Sequence, residues 1–104
     1  MSNWINVAKT SDFLPGTWHA VDTDRVSLLV FNIDGKFYAI ENLCTHDGGD
    51  LAGGWLEGED IVCPRHGARF CVKTGAVTRA PAYEDLTTYP VRVEGEMVQV
   101  QDQN

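Results

Sequence analysis

The 104 residues, 43% hydrophobic and 22% charged, have the size and balance of one small globular domain. Eight lysines and arginines against fifteen aspartates and glutamates give a net charge of −7, which argues against nucleic acid or anionic membrane as partner and favours a basic protein surface. No apolar run approaches the ~20 residues that span a bilayer, and Met1-Ser2-Asn3-Trp4 lacks the basic start and apolar stretch of a secretion signal; a soluble, cytoplasmic chain is expected.

Short β-branched and aromatic runs recur between Gly, Asp and Asn with no long 3.6-residue periodicity, so the fold class is all-β. His19, after Trp18, reads as a surface strand residue. Leu28-Leu29-Val30-Phe31 is a continuous apolar run, as in a strand buried on both faces. Asp34-Gly35 separates it from Phe37-Tyr38-Ala39-Ile40 and predicts a type I′ hairpin, which needs positive φ at both central residues. Five of the ten glycines then fall between Asp47 and Val62, a stretch that side-chain packing alone does not order. Val91 and Val93 alternate with Arg92 and Glu94, and Val98 and Val100 with Gln99 and Gln101, predicting a second, half-exposed hairpin across Gly95-Glu96. Gln101 to Asn104 is expected to fray.

Three cysteines, Cys44, Cys63 and Cys71, are too few and odd in number for a secreted disulfide scaffold, which leaves metal ligation or burial. Cys44-Thr45-His46 is followed, sixteen residues later, by Cys63-Pro64-Arg65-His66. One thiolate and one imidazole from each of two loops make a four-ligand set for iron or zinc. Zinc fingers usually pair Cys with Cys and His with His on separate elements, so the mixed loops favour iron; a zinc-stabilised interaction module is the alternative of a different class. Gly67 and the Gly48-Gly49 pair permit sharp turns that would bring amide N–H groups to whatever the ligands hold. Cys71, beside Phe70, reads as a packing residue.

These two motifs, with Gly67-Ala68-Arg69-Phe70, Thr74-Gly75 and Ala80-Pro81-Ala82 after them, resemble the Rieske-type [2Fe-2S] proteins. The resemblance implies a single domain over residues 1–104, an antiparallel β base carrying a small cluster-binding subdomain at about 43–69. It implies one [2Fe-2S] cluster per chain, with Cys44 and Cys63 on one iron, His46 and His66 on the other, and the proline-containing loop shielding it. Histidine ligation raises the potential of such a cluster from about −400 mV to roughly −150 mV or above. Ala68, standing where a hydroxyl donor would tune the sulfurs, sets the expectation at the low end.

Respiratory-chain and photosynthetic Rieske proteins carry one further cysteine in each loop, joined as a disulfide; here Asp47-Gly48-Gly49 and Arg65 hold those positions. That departure resembles the ferredoxins of multicomponent aromatic-ring-hydroxylating oxygenases. The function implied is one-electron transfer from a flavoprotein NAD(P)H reductase to a terminal oxygenase, by a monomeric carrier that is not itself an enzyme. The small subunit of an NAD(P)H-dependent nitrite reductase is similar in size and loops. Around the motifs, several assignments stay open. Trp55 and Leu56 either cap the cluster or, like Trp4 and Trp18, serve as core or hairpin aromatics. Glu57, Glu59 and Asp60 form either a docking patch or a solvated loop, and Arg65 pairs with a partner's carboxylate or with Asp47 or Asp50.

Overall fold

The computed structural model describes residues 3–103, and every strand pairing there is antiparallel. The strands are β1 (Ile5–Lys9), β2 (Trp18–Asp22), β3 (Ser27–Ile33), β4 (Lys36–Glu41), β5 (Trp55–Glu57), β6 (Asp60–Val62), β7 (Arg69–Cys71), β8 (Val77–Arg79), β9 (Thr88–Tyr89), β10 (Val91–Glu94) and β11 (Met97–Val100). One 3₁₀ turn, Thr10–Asp12, follows β1. They form three sheets, ordered β1-β11-β10, β2-β3-β4-β9 and β5-β6-β7-β8. No helix among the described residues is long and apolar enough to cross a membrane.

The apolar run in β3 explains how the sheets are joined. Successive side chains point to opposite faces of a strand. Leu28 and Val30 therefore enter one core with Phe13, Ala39, Val98 and Val100. Leu29 and Phe31 enter the other with Leu51, Ile61, Phe70, Cys44 and Cys63. All four residues of the run are fully buried, so β3 is a wall shared by two cores. The β3–β4 turn has Asp34 at φ 54° and Gly35 at φ 88°, both positive as the type I′ reading requires.

The C-terminal hairpin forms as predicted, with Val91 opposite Val100 and Val93 opposite Val98. Only one strand of it is well buried. Val98 and Val100 lie on the central strand of their sheet and are covered, while Val93, on the edge strand β10, is 46% exposed. Two expectations are corrected. The Gln101 N–H donates to the Pro90 carbonyl at 3.1 Å, so that residue continues the sheet rather than fraying; Asn104 lies outside the described residues, as do Met1 and Ser2. His19 is half-buried, not a plain surface residue, because Phe13 folds back and meets its ring edge-on at 4.5 Å.

The glycine-rich segment is ordered by polar and backbone contacts. Buried Asn42, just past β4, accepts the N–H groups of Leu51 at 2.8 Å and Ala52 at 3.1 Å through one oxygen. Its amide nitrogen donates to Ser27 Oγ at 3.3 Å, tying the loop back to β3. Gly54 then passes so close to β6 that a Cβ there would lie 2.0 Å from the Val62 carbonyl oxygen.

Candidate metal centre

Both ligand loops have the same backbone construction. In the first, the Cys44 N–H donates to the Gly49 carbonyl at 2.7 Å and the Gly48 N–H to the Cys44 carbonyl at 2.7 Å. In the second, Cys63 donates to the Ala68 carbonyl at 2.8 Å and Gly67 to the Cys63 carbonyl at 3.1 Å. Each knuckle closes at a glycine of positive φ, 77° at Gly48 and 75° at Gly67, where an L side chain would be strained. This changes one expectation. The amides of Gly48 and Gly67 are spent closing the knuckles, and that of Gly49 donates to Asp47 Oδ1 at 2.9 Å, so none of the three serves a bound group. It is the N–H groups of His46 and Asp47, inside the first turn, that point at the Cys44 sulfur.

The knuckles place their donors at different depths. Cys44 and Cys63 are fully buried and belong to the core under β3. Burial pushes the Cys44 thiol pKa up, its hydrogen bond with Cys63 adds to this, and the His46 and Asp47 amides oppose it. His46 and His66 are exposed, their rings 4.9 Å apart and edge-to-face. The donor atoms thus gather into two sets: the two thiols with Asp47, and the two imidazoles with Asp47, each set within 4.8 Å. A buried sulfur pair and an exposed nitrogen pair, one of each from each loop, suit a group with two chemically distinct metal ends better than a single tetrahedral ion.

Asp47 is the residue the sequence reading undervalued, and Arg65 explains what it does. Arg65 Nε and Nη2 both donate to the Asp47 carboxylate, the latter at 3.1 Å, and Nη1 donates to the Asp50 carbonyl at 2.9 Å. The Arg65 hydrogen bond, more than any other cause, holds the Asp47 carboxyl well below the usual range. The nearby acids are likewise paired within the chain: Glu57 and Asp60 with Arg69 at 3.2 and 3.3 Å, and Glu59 with Lys73 at 2.6 Å. They read as a self-neutralised surface rather than a bare docking patch. The Ala80-Pro81-Ala82 loop does reach the site: Ala82 packs in the same core as Cys44 and Cys63, and Thr45 Oγ1 donates to the Glu84 carbonyl at 2.7 Å. Trp55 is exposed with its indole N–H on Glu57, whereas Leu56 packs against the core beneath the knuckles. Trp18 packs on Phe31, and Trp4 lies under Arg92. Cys71 begins a third turn of the same form, but Val72, Lys73 and Thr74 offer no metal donor.

Comparison with known proteins agrees with this geometry. The Rieske [2Fe-2S] domain profile matches residues 3–90, and the chain belongs to that family. A [2Fe-2S] cluster is therefore its cofactor. It is 38% identical over 97 residues to the ferredoxin component of the naphthalene 1,2-dioxygenase system of Pseudomonas putida, covering 93% of each chain. It is 43% identical over 94 residues to the 3-phenylpropionate/cinnamic acid dioxygenase ferredoxin subunit of Escherichia coli K12, covering 89% of this chain and 88% of the relative. Among solved structures, the ferredoxin of carbazole 1,9a-dioxygenase from Nocardioides aromaticivorans IC177 superposes with TM-score 0.87 at 35% identity, over 94% of this chain and 96% of that one. A chain in a complex of reduced oxygenase and oxidized ferredoxin in carbazole 1,9a-dioxygenase gives TM-score 0.90 at 36% identity, over 94% and 92%.

Proposed function

We propose that the chain is a cytoplasmic one-electron carrier that accepts electrons from a flavoprotein NAD(P)H reductase and delivers them to the terminal oxygenase of an aromatic-ring-hydroxylating system. Cys44 and Cys63 hold one iron of the cluster, and His46 and His66 hold the other. The observation that carries this reading is the split donor set, with two thiols sealed in the core and two imidazoles at the surface. The relatives described above that are named as dioxygenase ferredoxins favour it over a nitrite-reductase subunit. Cys71, outside that ligand set, is a free thiol, which suits a reducing compartment.

When bound, the group supplies one-electron chemistry, two thiolates bringing its 2+ oxidised core to neutrality so that an added electron costs less electrostatic work than with four. The chain's own residues do the rest. The core around Cys44 and Cys63 excludes water from the sulfur end, and the amides of His46 and Asp47 stabilise thiolate at Cys44. His46 and His66 present their rings to solvent, so an acceptor docking there comes within a short distance of the metal end. Ala68 is buried and carries no hydroxyl, which supports a potential toward the low end of the Rieske range.

Stopped-flow mixing tests the assignment. The chemically reduced protein, mixed with an oxidised aromatic-ring-hydroxylating terminal oxygenase, is expected to return to its oxidised visible spectrum as the oxygenase is reduced. No electron exchange with such oxygenases, alongside rapid exchange with a sirohaem reductase, would overturn it.

A further inference from the structure

We propose that Arg65 is a positioning residue that clasps the two knuckles together and offsets the Asp47 charge beside them, fixing the orientation of the histidine pair and raising the cluster's potential. The inference rests on the ligand assignment above. Each knuckle is closed by backbone hydrogen bonds within its own loop, and those bonds do not tie one loop to the other. Arg65 bridges that gap. All three of its guanidinium nitrogens reach the first loop, two to the Asp47 carboxylate in a fork and the third to the Asp50 carbonyl. Such a fork constrains direction as well as distance, which a single contact does not.

Three features indicate a fitted contact rather than an incidental surface pair. A Cβ on Gly49 would lie 2.7 Å from the Arg65 Cζ and Nη2, so the first loop has space for the guanidinium only because residue 49 is glycine. The Asp47 side chain is 19% exposed and is also anchored to its own loop through the Gly49 N–H, so it is pre-set to receive the arginine. Arg65 immediately precedes His66, and Asp47 immediately follows His46; the clasp therefore holds a neighbour of each imidazole, and Asp47 Oδ2 also lies 3.7 Å from His66 Nδ1. Electrostatically, the guanidinium cancels a carboxylate charge that would otherwise disfavour adding an electron nearby.

The test compares Arg65→Gln, Arg65→Lys, Asp47→Asn, the Arg65→Gln/Asp47→Asn pair and Gly49→Ala in the cluster-loaded protein. Reduction potential is read by voltammetry, and cluster loss by decay of visible absorbance under a chelator. Arg65→Gln should lower the potential and speed cluster loss by about five- to tenfold. Arg65→Lys keeps the charge without the fork, so its potential should stay near wild type while its cluster is lost faster. Gly49→Ala, which displaces the guanidinium with both charges retained, should behave like Arg65→Lys. In the double variant the potential should recover most of the way, because no bare carboxylate remains, while loss stays fast. Wild-type potential and lifetime in Arg65→Gln and Gly49→Ala, or a double variant whose potential stays as low as that of Arg65→Gln, would overturn the clasp. Should wild-type protein itself bind no iron and sulfide, the ligand assignment fails instead.

Discussion

Two residues that coordinate nothing decide whether the site exists. Asn42 is a buried amide whose oxygen satisfies two backbone N–H groups of the glycine-rich segment. Asn42→Ala should cost about 2–3 kcal/mol by leaving those donors unpaired. Hydrogen exchange checks this locally: the Leu51 and Ala52 amides should lose protection before those of β3. Gly54→Ala places a methyl group against the Val62 carbonyl and should destabilise the fold by at least about 2 kcal/mol, read as a lowered urea midpoint. By contrast, residue 53 is roomy: a Cβ there would meet Pro64 Cγ at 3.8 Å, an ordinary van der Waals contact, so Gly53→Ala should shift that midpoint little. Both glycines look alike in the sequence. Only the strand lying against one of them separates their roles, and that contact joins loop 51–54 to β6.

At the scale of elements, β3 makes a sharper prediction. Leu28 and Leu29 are neighbours of identical chemistry, yet they fill different cores. Either one changed to Ala should cost about 2–5 kcal/mol, since each removes a fully buried side chain. Only Leu29→Ala opens the core that contains Cys44 and Cys63, so only that variant should alter the cluster's visible circular dichroism. Equal spectral change in both would refute the two-core division. Much of this level was legible beforehand: the uninterrupted apolar run marked a doubly buried strand, and Asp34-Gly35 marked its turn. The C-x-H and C-x-x-H spacings likewise located the two knuckles. Less visible was that C-x-x-x-G occurs three times, at Cys44, Cys63 and Cys71, and builds the same turn each time. The geometry belongs to the five-residue pattern, and what sets the first two apart is the histidine inside each. Hence the glycine amides, expected at the cluster, turn out to close the loops. The Arg65–Asp47 pairing was only one of several open choices because it depends on how two distant loops face each other.

For the whole molecule, the net charge of −7 predicts attraction to a basic partner. The acids around β5 and β6 are paired internally, so this attraction arises from the field of the chain rather than from one bare patch. Electron delivery to the oxygenase should slow several-fold as ionic strength rises from about 20 to about 200 mM, with little change once complexed. A rate indifferent to salt would speak against a basic docking surface. The central claim, however, concerns what the two knuckles hold. Pulsed electron paramagnetic resonance of the reduced protein, grown with ¹⁵N-labelled histidine, tests it most directly. Two sets of histidine ¹⁵N couplings on a reduced [2Fe-2S] signal are the predicted result, one set vanishing in His46→Cys and the other in His66→Cys. A reduced cluster with no histidine coupling would contradict the account.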